Sequence, residues 1–496
     1  MRAEVDRFRR GAALAALLGE WSTGPGPLYR KLADALSRVA EEGALEVGER
    51  LPSERELARS LAVSRSTVVA AYDELRARDV LDRRRGSGTR VNGRNRGPRG
   101  DGRVRGGQGT AIFQRLIDGP GPAISLACAA DEAAVEVGQV MREVVAKDLD
   151  ELLSEPGYHP HGLPALRQAI AERYTRFGLP TTADEVLVTT GAHQALGLLS
   201  QVYLRPGATV VTESPSWSPC LDIFREAGVS LVAVPLDEEG IDPNGLAAAL
   251  AEHEPALLYV MPSFHNPAGV LMSSARRRAV AELASRHGVA VVEDNAYAGQ
   301  NLSPTASLPA PLGAYAEAGS ETLTLESFKG IWGGLRIGWI RGPVGIIERC
   351  ARRKALADLG SPVFEQAVAA RLVPRMEEIG ERQVVSRRQQ CALLERLLAD
   401  RLAGWTWRRP DGGSSLWVRL PDGASADVFA QLALRHGVEV IPGSTMDPSG
   451  AHDDHLRIPF ARPRREVEEL VDRLALAWTE LRRHGPREET PIRPIV

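Results

Sequence analysis

Apolar residues fall into two regimes along this chain. From residue 25 to 91 they recur at helical spacing, while from 123 to 485 short apolar runs alternate with stretches of helical length. In the first regime Leu32, Ala35, Leu36 and Val39 mark one face of a helix that begins at Leu28. Ser53 and Glu56 have the S-x-x-E spacing of a capping box, which predicts a second helix start. Ala58, Leu61 and Val63 would close that helix onto the core. Ser64 to Thr67 then open a third helix, whose buried face is Val68, Ala71, Tyr72 and Leu75, at i, i+3, i+4 and i+7. Arg65, Ser66 and Val69 are left pointing away from that face. DRRRGSGTRV, with two glycine-permitted bends among basic residues, reads as a β-hairpin.

In the second regime the apolar runs are 186–190, 209–212, 229–235, 257–261, 289–293, 322–325 and 337–341. Strands that are apolar throughout are buried on both faces, so the pattern predicts a mostly parallel sheet covered by helices. Chemistry in such folds sits at the carboxyl ends of the strands. After Arg349 the pattern turns helix-rich and then gives SSLWVRL, GVEVIPG and HLRIPF, which read as a smaller α+β lobe. Residues 92–122, rich in Gly, Arg and Pro, separate the regimes as a flexible basic linker, with a short helix expected at 112–117. The last ten residues read as a disordered tail.

The chain's 496 residues exceed a single core. Its 43% hydrophobic and 25% charged content is ordinary for a globular protein. No run of 18 uncharged apolar residues points to a membrane span. The early AALAALL run resembles a secretory leader, but Glu4, Asp6 and the lack of a cleavage site before Trp21 favour an amphipathic helix. Cys128, Cys220, Cys350 and Cys391 are scattered without a C-x-x-C pair, so no metal site or disulfide framework is expected. Buried thiols in a reducing cytoplasm fit that distribution.

Charge changes the picture more. The formal net charge is -3, yet residues 1–110 hold 22 Lys and Arg against 15 Asp and Glu, a net of +7, leaving -10 for the rest. A basic amino-terminal end suggests a polyanionic partner. Arg65 with hydroxyls at a helix N-terminus suits the major groove, since Arg takes guanine O6 and N7 together while Ser and Thr hold phosphates. PLYRKLADAL, LPSERELARSLAVSRSTVVAAYDEL and RRGSGTRV closely resemble the GntR-type winged helix-turn-helix, over almost all of residues 27–91. The resemblance implies DNA contacts by Arg55, Arg65, Ser66 and Thr67, with Gly86 in the wing. Ser64 and Arg85 join them as expected phosphate contacts.

A second set of motifs follows in order. VLVTTGAHQALGLL is strand, glycine turn and helix, which aims the amides of Ala192 and His193 at a phosphate. ESPSW places Trp217 after a strand end, where an indole can stack on a planar ring. SFHNPAG puts Asn266 in a rigid loop, where its amide can donate to a phenolate. VVEDNAY ends a buried strand at Asp294, with Tyr297 three residues on. A buried carboxylate must be paired, and a protonated pyridine nitrogen would pair it. LTLESFKGIWGGLRIGW supplies Lys329, able to form an imine with an aldehyde, and Arg336, able to clamp phosphate oxygens.

Together these motifs resemble fold-type I pyridoxal 5'-phosphate (PLP) enzymes of the aspartate aminotransferase class. The resemblance implies Lys329 as the Schiff-base and catalytic lysine and Asp294 as the partner of the pyridine nitrogen. Asn266 and Tyr297 would bind the ring hydroxyl, Trp217 would stack, and Ala192, His193 and Arg336 would hold the phosphate. It further implies Arg457 as the grip on a ligand carboxylate, and Tyr158 as the residue reaching the partner subunit's phosphate. Tyr158 lies in a stretch one residue shorter than the commonest pattern. Phe328 stands where serine usually precedes the lysine, with Ser327 as a possible substitute, and Gly333 stands where proline is common.

Winged helix, linker and aminotransferase-like domain is the order of the MocR/GabR regulators, and the resemblance spans nearly the whole chain. It implies a cytoplasmic homodimer on operator DNA, each reader resting on the partner's large domain, with PLP or a small amine as effector. Two other readings stay open: a working aminotransferase with an accessory DNA module, and a DNA-binding regulator whose cofactor site has decayed.

Overall fold

The computed structural model describes residues 8–19, 21–23, 26–41, 44–45, 48–78, 80–84, 88–92, 121–127, 132–303 and 308–484. Outside the described residues lie Arg85 and Gly86 of the wing, nearly all of the linker with its expected helix at 112–117, Cys128 and the carboxyl-terminal tail.

The amino-terminal module contains helices Leu28–Glu41, Glu54–Ser60 and Arg65–Ala77, followed by the antiparallel hairpin Leu81–Arg84 and Gly88–Val91. Val68, Ala71, Tyr72 and Leu75 are buried as the spacing predicts, in one core with Leu32, Leu36, Leu57 and Leu61. The Tyr72 hydroxyl donates to the Pro52 carbonyl at 3.0 Å, so its polar end is satisfied inside the core.

A further helix, Gly11–Leu18, precedes residue 25 and adds Leu14 and Leu18 to the same core, joined by Trp21. It also explains a departure from the expected capping box. Ser53 Oγ accepts the Glu56 amide at 3.2 Å, but the Glu56 carboxylate accepts the Gly11 amide at 3.0 Å. The reciprocal half of the box therefore ties down the first helix.

The large lobe is built on an eight-stranded sheet, in the order Val186–Thr189, Gly338–Arg341, Thr322–Ser327, Ala290–Asp294, Leu257–Val260, Thr209–Ser214, Ser230–Asp237 and Gly240–Ile241. Gly338–Arg341 and Gly240–Ile241 run antiparallel to their neighbours, and the other pairings are parallel. The central strands feed both faces. Tyr259 and Val292 join one core layer, whereas Leu258, Val260 and Val291 join another. That double burial accounts for the unbroken apolar runs.

The small lobe is an antiparallel sheet of Thr406–Trp407, Ser415–Arg419, His455–Pro459 and Ile441–Pro442. Helices Met376–Arg401, Ala426–Arg435 and Arg464–His484 pack with it. Helix Met376–Arg401 joins the lobes: Ile379 lies in a large-lobe core, while Leu394 and Leu398 lie in the small-lobe core. Its 26 residues span about 39 Å.

The DNA-reading module touches the small lobe. Ala62 packs against the small-lobe core, and Arg435 donates to the Ala62 carbonyl at 2.6 Å. Among the described residues no helix is long and apolar enough to cross a membrane.

Candidate cofactor site and DNA-reading surface

The residues singled out in the large lobe follow the carboxyl ends of strands that run in one direction, so the sheet gathers them at one edge. Strand Thr322–Ser327 leads into Lys329, and Ala290–Asp294 ends on Asp294 with Tyr297 just beyond. Lys329 Nζ donates to the Tyr297 hydroxyl at 2.5 Å, and Asn266 Nδ2 donates to the same oxygen at 3.2 Å. Tyr297 and Asn266 are both buried. One phenol oxygen thus joins three residues 31 to 63 positions apart in the chain.

Asp294 is 2% exposed. Its Oδ2 accepts the Tyr259 hydroxyl at 2.7 Å and its Oδ1 accepts the Ala296 amide at 2.9 Å. Among the described residues no cation hydrogen-bonds it. Burial raises its pKa, opposed by the Tyr259 and Ala296 bonds and by the charge of Lys329. Burial also pushes the Tyr259 hydroxyl well above its ordinary range, so it remains a donor.

Trp217 precedes helix Ser218–Glu226 and meets His193 edge to face, with ring centroids 5.8 Å apart. Burial lowers the His193 pKa, and the nearby Arg336 charge lowers it further, which favours the neutral ring. Helix Ala192–Tyr203 begins after Gly191, at φ 118°, and has no side-chain cap over its first turn. A Cβ on Gly191 would lie 3.6 Å from Arg336 Nη2, so the guanidinium stands against this turn. A Cβ on Gly338 would come within 2.7 Å of the Gly191 Cα, so the close approach of the two segments requires glycine at 338.

These side chains fit PLP. A buried carboxylate with no cationic donor suits a protonated ring nitrogen, and an uncapped helix turn beside an arginine suits the phosphate. The lysine, phenol and amide suit an aldehyde and its neighbouring ring oxygen.

Ser327 Oγ accepts the Lys329 amide at 3.4 Å. Phe328 turns away from the lysine's side chain. It is 1% exposed in the core beneath the sheet and meets Trp339 edge to face at 5.8 Å. Gly333 has φ -62°, a value proline would also adopt. Neither departure from the common pattern distorts this edge of the sheet.

Arg457 and Tyr158 complete the set of sequence-identified residues in this domain. Arg457 is 3% exposed, and its Nη2 donates to the carbonyls of Leu126 and Ala127 at 2.7 and 2.8 Å. Tyr158 is 70% exposed. Four residues were missed from sequence: Tyr259, Arg387, His265 and Glu213. Tyr259 holds Asp294. Arg387, in helix Met376–Arg401, donates to the carbonyls of Gly299 and Gly330 at 3.1 and 3.2 Å, just past Tyr297 and Lys329. His265 Nε2 lies 3.4 Å from Glu213 Oε2, and both residues are buried beside Asn266 or the Trp217 loop. A tyrosine and a glutamate interrupting apolar strands were the available signals.

On the reader, Arg55, Ser64, Arg65 and Ser66 are exposed and Thr67 is half-buried. Ser64 caps helix Arg65–Ala77 by accepting the Thr67 amide at 3.2 Å, and its hydroxyl lies 2.8 Å from those of Ser66 and Thr67. Arg65 therefore opens an anchored, solvent-facing helix.

Residues 143–474 match the family of aminotransferase class I and II, and residues 28–91 match the bacterial regulatory proteins of the gntR family. The chain is 31% identical over 456 residues to YisV, an uncharacterized HTH-type transcriptional regulator of Bacillus subtilis (strain 168), covering 88% of this chain and 93% of that one. It is 32% identical over 352 residues to 2-aminoadipate transaminase of Thermus thermophilus, covering 70% and 86%. The fold resembles that of LysN, an alpha-aminoadipate aminotransferase from Thermus thermophilus solved with N-(5'-phosphopyridoxyl)-L-leucine. The TM-score is 0.67 at 29% identity, covering 78% of this chain and 98% of that chain. The chain therefore belongs to the aminotransferase class I and II family, and with its gntR-type DNA-binding module it is a transcription regulator of the MocR/GabR kind, whose cofactor is PLP.

Proposed function

We propose that this regulator reads operator DNA as a homodimer and that its aminotransferase-like domain senses PLP or an amine ligand without sustained turnover. The observation that carries the proposal is the presence, in one chain, of the Lys329–Tyr297–Asn266 cluster with Asp294 and an exposed recognition helix. When bound, PLP supplies an aldehyde that exchanges reversibly between amines and a ring that withdraws electrons.

Lys329 would hold the aldehyde, Tyr297 and Asn266 the ring hydroxyl, and Asp294 the proton on the ring nitrogen. Trp217 would stack on the ring. Ala192, His193, Arg336 and Ser327 would bind or border the phosphate, and Arg457 would hold a carboxylate on the amine. Arg55, Arg65, Ser66, Thr67 and the wing residue Gly86 would contact DNA, with Ser64 and Arg85 at phosphates.

A homodimer is supported by apolar side chains left exposed near Tyr158. Leu356 and Leu359 are 88% and 57% exposed, and the neighbouring Gly360 lies so close to His159 that an added Cβ would sit 2.9 Å from the His159 carbonyl oxygen. A reducing cytoplasm suits the buried thiols of Cys220, Cys350 and Cys391.

Borohydride trapping followed by peptide mapping tests the lysine: the label belongs on Lys329, and a label on Lys31, Lys147 or Lys354 refutes the assignment. Operator binding measured with and without PLP tests the sensor. An affinity indifferent to PLP and to amines removes that reading. The second reading, an active aminotransferase, draws support from Phe328 lying in the core, since its ring packs there rather than beside the lysine's amine.

A further inference from the structure

Helix Ala426–Arg435 touches the DNA reader at one end and the neighbourhood of the cofactor loop at the other. At its carboxyl end, Arg435 Nη2 donates to the Ala62 carbonyl at 2.6 Å and lies 3.4 Å from the Leu61 carbonyl oxygen. These two residues form the turn between helix Glu54–Ser60 and the recognition helix. Ala62 has φ 50°, and its side chain packs on the small-lobe core. A guanidinium on the open carbonyls of a helix end is well placed, because those carbonyls have no partner within the helix. Glu480 lies 3.8 Å from the other terminal nitrogen of Arg435 and steadies its charge.

At the amino end of the same helix, Asp427 Oδ1 accepts the Ser444 hydroxyl at 2.7 Å. Ser444 belongs to the turn Gly443–Met446, and the Met446 carbonyl accepts the Ser216 amide at 2.7 Å. The next residue, Asp447, accepts the Ser214 hydroxyl at 2.9 Å. Asp447 is also held by the Ser449 and Ala451 amides and by His452, so this point of the small lobe is fixed to the loop ahead of Trp217. A short series of bonds therefore runs from the Trp217 loop, through the Gly443–Met446 turn and a ten-residue helix about 15 Å long, to the turn three residues before Arg65.

We propose that helix Ala426–Arg435 is a strut that transmits a change at the Trp217 loop to the recognition helix, with Arg435 as its contact on the reader. The strut deepens the sensor reading and rests on it for the identity of the ligand. Contiguity alone is not coupling, so both ends of the strut must respond to one ligand.

The test uses full-length protein, free of cofactor or loaded with PLP, as wild type and as Arg435→Gln and Arg435→Lys. Hydrogen exchange is followed at residues 61–67 and 426–435. PLP is expected to change exchange at 61–67 about fivefold or more in the wild type, the lower end of ordinary allosteric coupling. Arg435→Gln should abolish that change while leaving the PLP absorbance intact, and Arg435→Lys should restore part of it. Unchanged exchange at 61–67 in the wild type overturns the strut. A response that survives Arg435→Gln overturns the role of Arg435. If exchange responds but operator affinity does not, the strut stands and the sensor reading fails.

Discussion

Asp294 is held by one hydroxyl and one amide, without a hydrogen-bonding cation among the described residues, and burial raises its pKa. A carboxyl whose folded-state pKa is raised stabilises the fold most below its unfolded pKa, and that contribution is lost as pH rises through the raised value. The cofactor-free protein thus bears a penalty at neutral pH that a protonated ring nitrogen removes. The gain in Tm on PLP binding should therefore grow from mildly acid to neutral pH, and grow less in Asp294→Asn. Equal growth in the two proteins would show that Asp294 does not face the ring nitrogen. Asp294, Lys329, Tyr297 and Asn266 were legible because each sits in a motif whose chemistry is local. Tyr259 was not, because it meets Asp294 across neighbouring strands from 35 residues away. Phe328 was legible as a departure, but its direction was not, because only the assembled sheet and Trp339 show which side of the backbone is core.

At the scale of elements, periodicity located the recognition helix and its capped start, because local rules govern both. The same rules were silent on helix Gly11–Leu18 as part of the reader, since its place depends on the Gly11–Glu56 bond across 45 residues. Arg65 opens the recognition helix and faces solvent. Arg65→Ala should relax sequence preference and cost operator binding about 1–3 kcal/mol, whereas loss of a phosphate contact such as Arg85 should weaken all sequences alike. Titration against operator and scrambled DNA distinguishes the two, and an unchanged Arg65→Ala protein would misplace the helix. Helix Met376–Arg401 makes a second case. Arg387 ties the backbone after Tyr297 to the backbone after Lys329, so Arg387→Met should remove a charged donor from two part-buried carbonyls and loosen both segments. PLP affinity should fall although Arg387 has no place in the cofactor cluster, and equilibrium dialysis reads the loss. An unchanged affinity would make the tie merely structural.

At the scale of the molecule, the small lobe has two duties. It carries Arg457, whose guanidinium is fixed on the Leu126 and Ala127 carbonyls, and it seats the reader through Arg435 and Ala62. Two regimes of apolar residues made the domain order legible, but the seating of the reader was not, because it depends on contacts, such as those of Arg435 with the Leu61 and Ala62 carbonyls, between surfaces far apart in the sequence. In an aminotransferase, ligand-linked movement of a small lobe is cheap when nothing else is attached. Here the reader is seated on that lobe, so under the proposed strut a movement of the lobe would be passed to the reader. Phe328 sets no limit on turnover by its bulk, since that ring lies in the core. What argues for sensing is the shared lobe. DNA-bound protein should therefore show an operator affinity that responds to PLP or an amine, with only trace transamination. Steady-state turnover of about 1 s⁻¹ or faster with operator bound, using any common amino donor and 2-oxo acid, would show that the lobe can work both duties at once and would promote the enzyme reading.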